Sequence, residues 1–374
     1  MRVLFAGVPA IGHLFPLVPL AAALHARGNE VLFGSLDGGE VVTSSGLPFV
    51  NACPGLDWRT ELRRRAAKER PDLLARTVET NSGDREVFVR LAALVNDSAV
   101  ESFVDLGRCW RPDVIVYDYL FPAGLLAAAK LGVPALQFDL GFIRTGHLRD
   151  LMLADLAPAL DRLGIDVPSP LGVLDIAPRS MAPAQEDGWP IRPVAFNGVS
   201  TLPAWLASRA DRPRVAVTLG TVPPKVDGLS RLDHLIAAAA EVDAEFVLVM
   251  GKIDISTLGE LPANVRAVGW VPWDGVVAGS DATIHHGGGG TALTTLAHGV
   301  PQLILPDGSD RYANADAVHA RGAGLRAVAE DLSPALLTRV LTDEKLRLAS
   351  REVAAEIAAM PTPPDVAAHL ESLA

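Results

Sequence analysis

Ala282-Thr-Ile-His285-His286-Gly287-Gly288-Gly289-Gly290-Thr291 joins a short apolar run to two histidines, four consecutive glycines and a threonine. The run predicts a buried strand, and Thr291 is the expected opening of a helix. Glycine-rich backbone lets peptide N–H groups come close to a ligand, and a helix N-terminus adds the positive end of its dipole. The histidines add hydrogen-bond donors for phosphate oxygens. A tight strand-to-helix turn with core histidines is the plainer reading, but four glycines exceed what such a turn demands. A strand, an anion cradle and a helix in this order form the unit of an open α/β sheet, which binds ligands at the carboxyl ends of parallel strands.

Working outward, the same alternation fills most of the chain. Val3-Leu-Phe-Ala-Gly7 predicts a first strand, Leu17 to His25 a helix stopped by Gly28, and Val31-Leu-Phe-Gly-Ser35 a second strand. Asp113 to Tyr117, a helix from Pro122 to Lys130 and Pro134 to Phe138 follow. Regularity lapses from Trp189 to Arg214, where Pro190, Pro193, Gly198, Pro203 and Pro213 read as a linker. It restarts with Arg214 to Thr218, a helix through Ala237 to Ala240, Glu245 to Met250, Val265 to Gly269, Ala282 to His285 and Gln302 to Pro306. Strands alternating with helices argue for parallel sheets covered on both faces, hence an α/β fold. A helical pattern from Leu346 to Met360 is broken by Pro361-Thr-Pro-Pro364. The expected division is a first α/β domain over 1–200, a linker at about 190–212, a second α/β domain over 213–360, and a terminal helix over 361–374 crossing back to the first domain.

Composition narrows the class. With 374 residues, 49% apolar and 21% charged, the chain is expected to build two globular cores. A formal net charge of -11 argues against nucleic acid as a partner, since duplex binding needs a basic stripe. The two cysteines, Cys53 and Cys109, have no C-x-x-C spacing, so a zinc site or disulfide framework is not expected and a reducing cytoplasm fits. The N-terminal stretch resembles a signal peptide only superficially, because Pro9, Gly12, His13 and Pro16 interrupt its apolar run. No apolar run reaches the roughly 18 residues a bilayer demands, so no membrane partner is expected.

Other loops at strand ends complete a candidate site. Leu219-Gly220-Thr221 offers amides and a hydroxyl to phosphates, and Gly269-Trp270-Val271-Pro272 offers an indole face to a nucleobase, although Trp270 also suits an ordinary core position. Pro306-Asp-Gly-Ser309-Asp310-Arg311 brings a carboxylate suited to sugar hydroxyls, or to capping the helix that contains Asn314. After the first strand, Gly12-His13 supplies an imidazole whose ordinary pKa lies near working pH, which suits a general base. Asp118, at the end of another strand, is the expected carboxylate that orients it.

With these motifs in view, the chain resembles the GT-B family 1 glycosyltransferases. The resemblance rests on His285 to Thr291, Gly299-Val-Pro301, Pro306-x-x-x-Asp310, Gly269-Trp-Val-Pro272 and Gly12-His-Leu-Phe-Pro16, and covers essentially the whole chain. It is most similar to actinobacterial natural-product enzymes of the calicheamicin and spinosyn type. The resemblance implies two Rossmann-like, doubly wound parallel-sheet domains facing across a cleft. It further implies an inverting, metal-independent displacement, with a dTDP-deoxysugar as substrate rather than any cofactor, and a polyketide, enediyne or macrolide acceptor. Carried over position by position, His13 becomes the base and Asp118 its partner. His285 and Gly287 to Gly290 bind the diphosphate, Trp270 and Val271 border the base, and Ser309, Asp310 and Arg311 meet the sugar.

The chain departs from the family pattern twice. Arg311 stands where Gln is common, which points away from an ordinary glucose preference. His286 stands where many relatives have Ala, so which histidine touches phosphate is open. No Asp-x-Asp triplet occurs to bridge a metal. Rival readings are a GT-B nucleotide-sugar epimerase and a non-catalytic partner of another glycosyltransferase. A dinucleotide-binding dehydrogenase is disfavoured, since Gly7 to Gly12 does not form G-x-G-x-x-G. The acceptor pocket is expected from residues 58–81 and 138–161, while the acceptor itself, the bond type and the oligomeric state, including a homodimer, are open.

Overall fold

The computed structural model describes residues 1–79, 83–182, 188–208, 210–220, 228–251, 253–308 and 310–373. The chain divides into two units, the first comprising Met1–Ile176, Pro183–Gly198 and Met360–Ala374, the second Ala177–Ala182 and Val199–Ala359.

In unit 1 the strands are β1 (Arg2–Ala6), β2 (Glu30–Asp37), β3 (Phe49–Asp57), β4 (Val114–Asp118), β5 (Ala135–Phe138), β6 (Gly172–Asp175) and β7 (Gly188–Pro190). They form one sheet in the order β3-β2-β1-β4-β5-β6-β7, every pair parallel. The central strands are continuous apolar runs because helices cover both faces: β4, Val-Ile-Val-Tyr-Asp, is buried along its whole length. Pro190 is tolerated because β7 is an edge strand, where a missing N–H breaks no ladder bond. Between β3 and β4, where the sequence pattern suggested no element, lie helices Trp58–Glu69, Pro71–Glu79 and Arg85–Trp110. The last packs against helix Ala123–Leu131. It is capped by Asp84, whose carboxylate accepts from the Val87 N–H.

The C-terminal helix Pro363–Glu371 packs on helix Val18–Ala26 of the same unit. Thr362 and Asp365 form a capping box at its start. At its end Glu371 accepts from Arg27 at 2.6 Å and from Asn29 Nδ2 at 2.6 Å, and Asn29 Oδ1 in turn accepts from the N-terminal ammonium at 3.0 Å.

Unit 2 contains β8 (Arg214–Thr218), β9 (Glu245–Val249), β10 (Val265–Val268), β11 (Ala282–His285), β12 (Gln302–Ile304) and β13 (Gly324–Arg326). These too are all parallel, in the order β10-β9-β8-β11-β12-β13. Both sheets are doubly wound, as the sequence pattern predicted. The order reverses between β1 and β4 in one unit and between β8 and β11 in the other. At such a switch point adjacent strands send their following loops to opposite faces, which opens a crevice at the carboxyl ends. Among the described residues no helix is long and apolar enough to cross a membrane.

Candidate active site

The switch point of unit 1 joins His13 to Asp118. His13 sits in the short helix Ile11–Leu14, directly after β1, and Asp118 is the last residue of β4. Parallel pairing of β1 with β4 aligns Ala6 with Tyr117, so the two loops leave the sheet side by side. His13 Nδ1 lies 2.6 Å from Asp118 Oδ2. Asp118 is fully buried, and its oxygens also accept the N–H of Val8 at 3.2 Å and of Leu120 at 3.0 Å. A carboxylate only accepts, so Nδ1 carries the proton of the neutral imidazole and Nε2 is its basic nitrogen. The imidazole keeps 24% exposure while its partner has none, the arrangement of a base held from behind. Gly12 beside it is exposed, and the Tyr119 ring stacks at 6.4 Å from the imidazole.

The neighbouring strand end carries residues that sequence reasoning missed. Gln137 of β5, fully buried, donates to Thr145 at 2.6 Å and Asp139 at 2.9 Å and accepts from the Tyr117 hydroxyl at 3.1 Å. A glutamine inside the apolar run Pro134 to Phe138 was the available signal. A buried amide needs partners on the adjoining loop, and here it fixes that loop beside Asp118.

In unit 2 the loop after β11 meets the loop after β8. Helix Gly289–Ala297 begins two residues before Thr291, with Gly288 at its N-cap. Its ladder starts with Ala292 N–H donating to Gly288 C=O, so the N–H groups of Gly289, Gly290 and Thr291 precede it. Gly290 is exposed. Gly287 has φ +90°, and a Cβ there would stand 3.0 Å from both the Arg311 carbonyl and Ile304. The His286 ring is wedged between two glycines: a Cβ on Gly220 or on Gly288 would lie 2.6 Å from it. Burial, then the Arg311 charge and His285, hold the His286 pKa well below its ordinary value.

His285 behaves differently from the sequence expectation. It is fully buried, its Nε2 lies 2.6 Å from Gln302 Oε1, and its Nδ1 accepts the Gly287 N–H at 3.1 Å. Both ring nitrogens are used inside the fold, which corrects the expectation that His285 donates to phosphate. Burial pushes its pKa down to about 4, so the ring is neutral at working pH. Of the pair, His286 retains 9% exposure and His285 none. Trp270 is half-buried. Val271 beside it has its side chain buried in the cluster of Val249, Val276 and Leu206, which leaves only its backbone to border a base.

Asp310 occupies the N-cap of helix Arg311–Arg321 but makes no capping bond. Its carboxylate instead accepts from Asn314 Nδ2 at 2.9 Å, and the same amide nitrogen donates to the Gly287 carbonyl at 2.9 Å. Arg311 Nη1 donates to the Asp307 carbonyl at 2.7 Å. Thr221 and Ser309, both expected at the site, lie outside the described residues. Among the described residues no group of three or more His, Cys, Asp or Glu is arranged to hold a metal.

Comparison with known proteins identifies the class. The family described as "Erythromycin biosynthesis protein CIII-like, N-terminal domain" matches residues 22–220, and its C-terminal domain matches residues 233–373. The elloramycin glycosyltransferase ElmGT of Streptomyces olivaceus is 39% identical over 100% of this chain and 97% of its own. Among solved structures, the glycosyltransferase SnogD from Streptomyces nogalater superposes with a TM-score of 0.87 at 35% identity, covering 100% of this chain and 99% of its own. Spinosyn rhamnosyltransferase SpnG complexed with thymidine diphosphate gives 0.84 at 27% identity, with 100% of both chains covered. The two parallel-sheet units are the GT-B architecture, and the protein is a glycosyltransferase. The chain belongs to the erythromycin CIII-like family of actinobacterial natural-product glycosyltransferases.

Proposed function

We propose that the protein transfers a deoxysugar from a dTDP-sugar to a hydroxyl of a small natural-product acceptor by inverting displacement, with His13 as general base. The observation that carries this reading is the 2.6 Å contact between His13 and the buried Asp118 at a sheet switch point. His13 Nε2 takes the acceptor's hydroxyl proton as that oxygen forms a bond to the anomeric carbon. The bond from that carbon to the β-phosphate oxygen breaks, and the diphosphate leaves with the electron pair. Asp118 stabilises the imidazolium so formed. The N–H groups of Gly289, Gly290 and Thr291, with the His286 ring beside them, stabilise the charge that grows on the departing phosphate.

Asp310 and Arg311 meet the sugar, and the half-buried Trp270 borders the base. The thymidine diphosphate complex of SpnG supports the choice of nucleotide. The acceptor class is supported by the names of the relatives, which are glycosyltransferases of elloramycin and spinosyn.

Thermal shift with dTDP and UDP tests the donor reading. A ligand at a hundred times its Kd stabilises the folded state by about 2.7 kcal/mol, so dTDP is expected to raise Tm at lower concentration than UDP. A protein whose Tm responds to neither nucleotide overturns the reading. Incubation with dTDP-sugar alone tests the chemistry: isomerised nucleotide sugar in the products identifies an epimerase instead.

A further inference from the structure

We infer that Asn314 is a positioning residue of the donor site, coupling the phosphate loop to the carboxylate of Asp310. The inference rests on the reading of Asp310 as the sugar-binding carboxylate. Asn314 is fully buried in the first turns of helix Arg311–Arg321. Its amide nitrogen has two hydrogens, and both are used across the site: one to the Gly287 carbonyl at 2.9 Å, one to Asp310 Oδ2 at 2.9 Å. The other face of Gly287 is fixed as well, because its N–H donates to His285 Nδ1 at 3.1 Å while Gln302 holds Nε2 at 2.6 Å. Gln302 and Thr283 are register partners, so β12 lies against β11 when it supplies this support.

Gly287 is thus held at both its N–H and its carbonyl, in a conformation that an L side chain rarely adopts, with φ +90°. That conformation aims the following amides at the position where an anion would sit. On the other side, Asp310 makes no capping bond to its own helix, so Asn314 is the side chain that holds its carboxylate in place. An amide that bridges a loop peptide and a carboxylate sets their spacing, and with it the spacing between the β-phosphate and the sugar hydroxyls they bind. An aliphatic residue of the same volume would fill the space and make neither bond.

Isothermal titration of the whole chain with dTDP and with dTDP-rhamnose separates positioning from packing. Asp310→Ala is expected to weaken dTDP-rhamnose about tenfold and leave dTDP unchanged. Asn314→Ala is expected to weaken both, because Gly287 is released together with Asp310. The double variant is then expected to bind dTDP-rhamnose no worse than Asn314→Ala alone, since the two residues act through one contact.

Should Asn314→Ala fail to fold, Asn314→Asp keeps the volume and removes both N–H donors. It is expected to bind dTDP weakly, because a carboxylate there can donate to neither the Gly287 carbonyl nor Asp310. Normal dTDP binding by a folded Asn314 variant, or losses that multiply in the double variant, overturn the inference while Asp310→Ala still weakens dTDP-rhamnose. If Asp310→Ala binds dTDP-rhamnose like the parent protein, the reading of Asp310 falls and the inference with it.

Discussion

His13 and His285 are two histidines near strand carboxyl ends with opposite surroundings. His13 has a carboxylate on Nδ1 and part of its ring exposed; His285 has both nitrogens tied to the fold and no exposure. His13→Ala is therefore expected to lower kcat about a hundredfold or more with dTDP binding unchanged, read by single-turnover kinetics and titration. His285 affects stability instead. In the folded protein it stays neutral down to about pH 4, whereas the unfolded chain binds a proton below the ordinary value of 6.5. The stability it contributes is complete above pH 6.5 and is lost as pH falls through 4, amounting to about 3 kcal/mol for such a shift. Urea unfolding across this window measures it. His285→Asn, which retains an acceptor for the Gly287 N–H, is expected to show a shallower pH slope. The pairing of His13 with Asp118 was legible from residue type and strand-end position. The division of labour between His285 and His286 was not, because it depends on Gln302, a residue of the neighbouring strand.

At the scale of elements, the glycine loop after β11 is shaped by close packing around the His286 ring. A Cβ on Gly288 would sit 2.6 Å from Nε2, and a Cβ on Gly220 would come as close to the same ring. Gly288 itself has φ -61° and ψ 137°, which alanine adopts without strain. Gly288→Ala is thus expected to act through the displaced imidazole alone. It should weaken dTDP binding about tenfold and also lower Tm, since overpacking a buried ring costs about 1–3 kcal/mol, as titration and thermal unfolding can establish. The glycines were conspicuous in the sequence, but two of them are required by the fold itself. Gly287 is required by its backbone angle and Gly288 by a neighbouring ring. Helix Trp58–Glu69 was illegible for another reason: it buries only Trp58 and Ala66, too few apolar residues to mark a period, and is tied to helix Arg85–Trp110 by ion pairs such as Arg65 with Asp97 at 2.8 Å.

For the whole molecule, the chain passes between the two units after Ile176, Ala182, Gly198 and Ala359. The first unit therefore includes the last residues of the chain. Helix Pro363–Glu371 buries Val366 and Leu370 to 5% and 3% exposure in that unit. Burying two such side chains contributes about 4 kcal/mol, before the polar contacts of Glu371 are considered. Removal of residues 361–374 is expected to destabilise unit 1 by about that amount. Urea unfolding followed by the near-ultraviolet signal of Trp58 and Trp110 would show it, and an unchanged midpoint would refute it.

By itself the sequence determined the alternation of strands and helices, parallel sheets covered on both faces, the glycine loop at a strand's carboxyl end, and the histidine and aspartate that follow or end their strands. All of these follow from local pattern, since period, turn chemistry and side-chain type are properties of short stretches. The tertiary structure alone decided which groups meet. Asp118 reaches His13 across 105 residues because parallel β1 and β4 bring their carboxyl ends to one edge, and Gln302 reaches His285 across 17 because β12 lies beside β11 with Gln302 opposite Thr283. The role of a polar side chain is set by the partner it finds there, and strand order, not local sequence, supplies that partner.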